Sequence, residues 1–90
     1  MNKGKIFRKN PAVTTRARKN EELTLLNAET AEIVILNFVA AYIWSMIDGK
    51  KTFNTIVGIL HQKFPDVSID QIKRDSEQTI EELASRRFIL

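Results

Sequence analysis

The feature that most constrains the fold of this chain is an apolar stretch of 15 residues, from Ile33 to Ile47, which only Asn37 and Ser45 interrupt. A helix that spans a membrane needs about 20 apolar residues, so this stretch is too short to cross one. Its first part, Ile33–Leu36, is rich in residues that favour a strand, whereas Asn37 is a good helix N-cap. The stretch therefore predicts a buried strand that leads directly into a buried helix.

Two segments before this stretch also have the composition of strands. Val13–Ala17 contains β-branched residues, and Leu23–Leu26 is followed by Asn27–Thr30, whose Asn and Thr favour a turn. A hairpin of two strands is only marginally stable in water. We therefore expect all three strands to form one antiparallel sheet, with helices packed against one of its faces.

Three helices are predicted after the sheet, because apolar residues recur there with helical spacing between capping and breaking residues. The residues that bound them are, in chain order, Asn37 and Gly49, Thr52 and Pro65, and Ser68 (in a capping box with Gln71) and about Arg87. The third helix has an apolar inner stripe that Ser76 and Thr79 interrupt. The sequence thus predicts an α+β fold, a three-stranded antiparallel sheet followed by three helices, with a winged-helix-like helical half.

The positive charge of the chain is concentrated at its N terminus. The formal net charge is +3, from 14 Lys and Arg against 11 Asp and Glu. Residues 1–20 hold seven basic residues and no acid, whereas residues 21–90 hold all 11 acids. Residues 1–10 also lack a periodic apolar pattern. We expect residues 1–10 to form a flexible basic arm and residues 11–90 to form the folded domain.

A winged-helix DNA-binding protein is the alternative function that this architecture suggests. The third predicted helix would then enter the major groove, yet between Ile69 and Arg87 it carries five acids against four basic residues. DNA phosphates would repel such a helix. The sequence therefore argues against nucleic acid as a partner.

Few residues could support catalysis or hold a cofactor. The chain has no cysteine and one histidine, His61, and its 3 glycines form no phosphate-binding loop. We therefore expect a non-catalytic protein with no metal or other cofactor. The lack of cysteine and of an N-terminal signal sequence predicts a cytoplasmic location.

An unprotected strand edge would give the chain a binding function. Ile33–Leu36 is strongly β-prone and only Glu32 adds a charge to it, although proteins usually protect a free edge with charges. An extended peptide can pair with such an edge through main-chain hydrogen bonds. The same edge of a second copy can do so too, which would give a homodimer. Ser76 and Thr79 would either face a groove beside the strand or bond back to helix carbonyls in the core.

Several short motifs at set intervals resemble those of the PqqD family. They are Leu36-Asn37, Ile43-Trp44 and Asp48-Gly49, followed by Thr52, Ile56, Leu60, Phe64-Pro65 and Leu83-Ala84, and the resemblance covers about residues 23–90. PqqD-like proteins are recognition elements for the precursors of ribosomally synthesised and post-translationally modified peptides (RiPPs). The resemblance implies a fold of three antiparallel strands and three helices.

The resemblance also implies where a precursor binds. Its leader segment would add as a strand beside Ala31–Leu36, in a groove whose other wall is the third helix. The implied site residues are Ala31, Glu32, Ile33, Val34 and Ile35 on the strand, and Ile72, Asp75, Ser76, Thr79 and Glu82 on the helix. Asp75 and Glu82 would receive a basic residue of the peptide. The protein would present the precursor to a modifying enzyme, such as a radical SAM enzyme or a leader peptidase.

The sequence departs from the family pattern at several positions. Phe38-Val39 stands where family members usually have polar residues, Ser76 and Thr79 where they have apolar ones, and Arg87 where they have a glycine. The pathway therefore stays open between pyrroloquinoline quinone synthesis and another RiPP class, such as lasso peptides. Phe38 and Tyr42, one helical turn apart, would either extend the core or form an exposed patch for the partner enzyme.

Overall fold

The computed structural model describes residues 4–90 and has the predicted α+β architecture. In chain order its elements are β1 (Val13–Ala17), β2 (Leu23–Asn27), β3 (Glu32–Leu36), α1 (Phe38–Ser45), α2 (Phe53–Lys63) and α3 (Ile69–Ser85). A short 3-10 turn at Lys19–Glu21 lies between β1 and β2. The predictions of a three-stranded antiparallel sheet and of three following helices are both confirmed.

The sheet has the strand order β1-β2-β3, and both pairings are antiparallel. Leu25 in the central strand pairs with Thr15 of β1 on one side and with Val34 of β3 on the other. Within residues 4–90, β3 has a strand neighbour on one side only, so its second side is a free edge.

The helices begin at the positions that their capping residues predict. The side-chain oxygens of Asn37, Thr52 and Ser68 each accept a hydrogen bond from the backbone N–H three residues further on, at 2.9, 3.2 and 3.2 Å. Each bond satisfies one of the N–H groups that the first turn of a helix leaves without a partner. The three helix N termini are therefore determined by local sequence.

Two helices end earlier than the sequence predicted. α1 ends at Ser45 rather than near Gly49, because Met46 N donates to Ile43 O at 3.0 Å and so tightens the last turn. α3 ends at Ser85, since Arg87 has a φ of 62° and therefore leaves the helical conformation. The left-handed region is one that glycine occupies more readily than arginine.

The hydrophobic core lies between the inner face of the sheet and the helices. Leu25 and Leu36 enter it from the sheet, and Trp44 is buried with 3% of its surface exposed. Phe38 and Tyr42 are half-buried, and their rings pack edge-to-face against Phe64 at centroid distances of 5.9 and 6.4 Å. Of the two alternatives for Phe38 and Tyr42, the structure therefore favours an extension of the core.

The sequence predicted a flexible arm over residues 1–10, and the structure differs from this prediction. Residues 1–3 lie outside the described part of the chain, and the rest packs against the domain. Phe7 is only 4% exposed, and its carbonyl accepts a hydrogen bond from Gly49 N at 2.9 Å. Two isolated antiparallel bridges further attach the segment to the second half of the chain. These contacts join residues distant in sequence, so no local pattern could indicate them.

Candidate functional site

The outer face of β3 is apolar and exposed. Ile33 and Ile35 have 61% and 55% of their surface exposed, whereas Val34 packs against the core and Leu36 is buried within it. Leu26 of β2 is 40% exposed and lies opposite Ile33 in the sheet. Three large apolar side chains therefore share this face, and two of them belong to β3 at the edge of the sheet.

The main-chain groups of β3 alternate between the sheet and the free edge, because bonded and non-bonded pairs alternate in an antiparallel ladder. Ala28 N donates to Ala12 O at 3.1 Å, so these two residues form a bonded pair that continues the register of β1 with β2. Bonded pairs recur at every second residue. The even-numbered residues of β2 therefore bond to β1, and the odd-numbered residues of β2 bond to β3. In the register of β2 with β3, Val34 therefore bonds to β2. The N–H and C=O groups of Ile33 and Ile35 consequently point outward.

The C-terminal end of α3 is attached to the start of β3. Arg86 Nε donates a hydrogen bond of 2.8 Å to Glu32 Oε2. The amide of Asn27, which is fully buried, donates to the Arg87 carbonyl at 3.0 Å. Asn27 and Glu32 are paired residues of β2 and β3, so both contacts fix the same corner of the sheet to α3.

The middle of α3 lies close to the other end of β3. A shallow pocket of about 270 Å³ there is lined by Asn37, Val39 and Ala40, which follow β3, and by Asp75, Gln78 and Thr79 of α3. α3 therefore runs along the free edge of β3 in the opposite direction. We refer to the space between the free edge of β3 (Glu32–Leu36) and the α3 face formed by Asp75, Gln78, Thr79, Glu82 and Arg86 as the β3–α3 groove.

Most of the predicted site residues lie at this groove. Glu32–Ile35 belong to β3, and Ala31 precedes it in a turn, with a φ of 62° and its N–H bonded to Asn27 O at 2.8 Å. Asp75, Thr79 and Glu82 lie on the side of α3 that faces β3, because residues three, four and seven apart share one helix face.

Two predicted residues lie elsewhere. Ile72 and Ser76 are only 6% and 1% exposed, so they lie beneath the wall of the groove and do not face it. The reason is helical geometry: at about 100° per residue, the stripe through Ile72, Ser76 and Ile80 is rotated toward the core relative to the stripe through Asp75 and Glu82. Ser76 is therefore buried, but its Oγ makes no hydrogen bond within residues 4–90, so the alternative of a bond back to a helix carbonyl is not observed either.

Sequence reasoning missed Gln78 and Arg86 in the groove wall. Both continue the spacing of three to four residues that starts at Asp75, so the periodicity of α3 could have indicated them. Glu32 contacts Arg86 across 54 positions of sequence, and this ion pair had no local signal.

The groove wall on α3 carries two carboxylates, Asp75 and Glu82, and one cation, Arg86. Asp75 Oδ1 accepts a hydrogen bond from Gln71 Nε2 at 2.8 Å, and Glu82 Oε1 lies 3.9 Å from Arg86 Nη1. Asp75 and Glu82 are both exposed, so each carboxylate can accept further hydrogen bonds. The exposed acids of α3 would be repelled by DNA phosphates.

Among the described residues, the groups whose pKa departs from its ordinary value lie away from this groove. Hydrogen bonds from the Lys51 side chain and from the Lys50 backbone lower the pKa of Asp48 to about 2, in the loop after α1. Burial lowers the pKa of Lys9, whose ammonium lies 5.0 Å from the centre of the Trp44 ring. Both interactions belong to the attachment of the N-terminal segment and its neighbouring loop, and neither indicates catalytic chemistry.

Among residues 4–90, no three His, Asp or Glu side chains come close enough together to hold a metal ion. In the same residues, no helix has the length and apolar character needed to span a membrane.

Two solved structures have the same fold. The first, "TbiB1 in Complex with the TbiA(beta) Leader Peptide", is 23% identical with a TM-score of 0.80, over 91% of this chain and 93% of that chain. The second, "Lasso peptide synthetase B1 complexed with the leader peptide", is 20% identical with a TM-score of 0.82, over 96% and 99%. No curated protein matches the chain.

The fold and the groove define the class of the protein: a small α+β binding module with a free strand edge beside a helix. The family model "Coenzyme PQQ synthesis protein D (PqqD)" matches residues 22–89, about three quarters of the chain. The chain therefore belongs to the PqqD family, whose stand-alone members are recognition elements that bind leader peptides in RiPP biosynthesis and are not catalysts. The resemblance noted in the sequence is confirmed.

Proposed function

We propose that this chain binds its leader peptide as a fourth strand on β3, within the β3–α3 groove. The observation that carries this proposal is the outward direction of the N–H and C=O groups of Ile33 and Ile35. An added strand would satisfy these donors and acceptors through main-chain hydrogen bonds. α3 would form the second wall, so the peptide would be held from two sides.

The side chains of the added strand would alternate between two surroundings. Residues opposite Val34 would point inward and meet the wall of α3, whereas residues opposite Ile33 and Ile35 would point outward and extend the apolar face. Asp75 and Glu82 favour a basic residue among the inward ones. Arg86 would remain paired with Glu32 and would close the groove at that end.

The two structural relatives support this role, since each is a complex with a leader peptide. One of them is a lasso peptide synthetase B1, whereas the family is named for the synthesis of coenzyme PQQ. A groove that binds through main-chain groups suits either pathway. The proposed ligand is therefore a leader segment of either pathway.

A modifying enzyme is the proposed second partner, either a radical SAM enzyme or a leader peptidase. The outer face formed by Leu26, Ile33 and Ile35 is exposed and apolar, which suits a contact with another protein. The lack of cysteine fits the reducing cytoplasm, where the precursor is synthesised.

The experiment compares Ile35→Pro with Ile35→Ala. Both variants remove the isoleucine side chain, but only proline also removes the outward N–H. The pairing of Val34 with β2 stays intact in both variants. A precursor peptide chosen from the short reading frames that neighbour the gene for this chain is titrated into each variant by calorimetry. We expect Ile35→Pro to weaken binding about tenfold relative to Ile35→Ala, the loss of one hydrogen bond and its geometry. Equal affinities in two folded variants would exclude strand addition.

A homodimer through the free edge would use the same N–H and C=O groups. Peptide binding and pairing of two β3 strands would therefore exclude each other. Sedimentation of the free chain and of the chain saturated with peptide tests this: a dimer that persists with peptide bound must use another surface.

A further inference from the structure

A depression with basic residues at its rim lies where the N-terminal segment is attached to the domain. Its volume is about 530 Å³. Its lining includes Arg8, Lys9 and Pro11 of the N-terminal segment, Asp48 and Gly49 of the loop after α1, and Leu90. None of these residues belongs to the β3–α3 groove, so a ligand in the depression does not compete with a leader peptide for side chains.

The backbone holds Arg8 and Lys9 in defined positions at this depression. Leu90 N donates to Arg8 O at 2.9 Å, and Lys9 forms an isolated antiparallel bridge with Ile89. The Arg8 guanidinium lies against Gly49, because a Cβ on that glycine would be only 3.0 Å from Arg8 Nη1. Cations that are already positioned lose less entropy when a ligand binds to them.

Within residues 4–90, neither Arg8 nor Lys9 has a carboxylate at ion-pair distance. Asp48, the acid of the lining, is already engaged by other groups. It forms an ion pair with Lys51, and its Oδ1 accepts hydrogen bonds from the N–H groups of Lys50 and Lys51 at 2.9 and 3.1 Å. Burial lowers the pKa of Lys9, so its ammonium has lost part of its hydration. Both cations are therefore available to an anion from outside this part of the chain.

We propose that this depression binds an acidic segment of a protein partner, whose carboxylates bond to the Arg8 guanidinium and the Lys9 ammonium. The guanidinium can donate to both oxygens of one carboxylate, whereas the ammonium acts as a point charge. The methylene groups of the acidic side chains pack against Pro11 and Leu90, which are both exposed. The proposal goes beyond leader binding and does not depend on strand addition at β3.

Nucleic acid is the other polyanion that a basic surface could attract, and two features disfavour it. Proteins hold single strands by stacking bases on exposed aromatic rings. Here Trp44, whose ring centre lies 5.0 Å from the Lys9 ammonium, is 3% exposed, and Phe7 is 4% exposed. A duplex is held by the neutralisation of many phosphates, whereas this depression offers two unpaired cations. An acidic polypeptide needs neither a stacking surface nor a long basic track.

The test compares two probes of equal charge, an acetylated and amidated hexaglutamate and a single-stranded thymidine heptamer with six phosphates. Each probe is titrated into the full chain at low salt and followed by NMR. We expect hexaglutamate to bind more tightly than the heptamer, to shift the amide signals of Arg8, Lys9 and Gly49, and to lose affinity as salt is added. Tighter binding of the heptamer, or shifts confined to other residues, would overturn the proposal.

Charge variants separate this site from the general basicity of residues 1–20. Lys9→Met and Arg8→Met should each weaken hexaglutamate binding about threefold, as expected for a partly exposed ion pair. Methionine keeps the aliphatic part of each side chain, and Lys9→Arg, which keeps the charge, should bind as the wild type does. Lys19→Met is the matched control, because residue 19 lies beyond the opposite end of β1. Equal losses in Lys9→Met and Lys19→Met would indicate attraction by net charge alone and would exclude the site.

A second copy of this chain is another source of acidic residues, because α3 has exposed carboxylates. Sedimentation of the wild type and of Lys9→Met at low salt distinguishes this source from a separate partner. We expect the two proteins to have the same oligomeric state. Association of the wild type that Lys9→Met abolishes would assign the acidic segment to a second copy and overturn the proposal of a separate partner.

Discussion

Glu32 and Arg86 are 54 residues apart in sequence, yet a hydrogen bond of 2.8 Å joins Arg86 Nε to Glu32 Oε2 at one end of the β3–α3 groove. The two side chains are 42% and 32% exposed, so solvent screens part of their attraction. The pair bridges the strand edge and the helix at this end of the groove. Its main consequence is therefore for the width of the groove, and its contribution to stability is small.

A double-mutant cycle with Glu32→Gln and Arg86→Met measures this contribution. We expect a coupling energy of about 0.5–1 kcal/mol in urea unfolding, decreasing with salt, as for partly exposed ion pairs. Each single variant should also weaken peptide binding, because one end of the groove is no longer held in place. This loss of affinity should be larger than the loss of stability explains. Peptide affinities that are unaffected would show that the groove width does not depend on the pair.

Reversing the charge of the groove wall should reduce binding of a leader peptide with a basic inward residue. We expect Glu82→Lys to lower its affinity about tenfold at low salt, and the difference to shrink as added salt screens the charges. Glu81→Lys is the matched control, because residue 81 lies about 100° around the helix from residue 82 and away from the groove. Equal losses in the two variants would indicate an effect of net charge alone.

The N-terminal segment should contribute to the stability of the domain. Replacing the buried Phe7 by Ala is expected to lower the free energy of unfolding by about 3 kcal/mol, as for other buried aromatic residues. Ile6, which is 45% exposed, provides the control, and Ile6→Ala should cost much less. Thermal unfolding that is the same for Phe7→Ala and the wild type would mean that residues 4–10 are detached in solution.

Arg87 occupies a position suited to glycine. Its φ of 62° lies in the left-handed region, which costs a residue with a Cβ about 1 kcal/mol. Arg87→Gly should therefore raise the free energy of unfolding by about that amount, since the contact of the guanidinium with Glu29 at 3.9 Å is exposed and weak. Arg87→Ala keeps the strain and should not be stabilised. A destabilised Arg87→Gly would show that the arginine side chain matters more than its backbone.

Local rules were sufficient for the order and type of the elements. Asn37, Thr52 and Ser68 cap the helices they were expected to cap, since a cap depends on residues only three positions apart. The strand that ends at Leu36 was predicted from its β-prone composition. Its place at the edge of the sheet follows from the chain order of three short strands.

The remaining features depend on contacts between distant residues. The buried position of Phe7 requires the loop at Gly49, which no pattern near residue 7 could indicate. The burial of Ser76 depends on how α3 is rotated about its axis, and the sequence left that rotation open. The family motifs indicated the groove between strand and helix, whereas the ion pair of Glu32 with Arg86 at its end required the coordinates.

The outward N–H and C=O groups of Ile33 and Ile35 have a consequence for how precursors can evolve. Nearly every amino acid carries the same backbone amide, so a peptide held in this way keeps its attachment when its side chains change, unless proline is introduced at a donor position. Most residues of the leader are then free to drift, and the selective constraint concentrates on a few anchor positions. One recognition protein can thus serve a diversifying set of precursors without changing its own sequence.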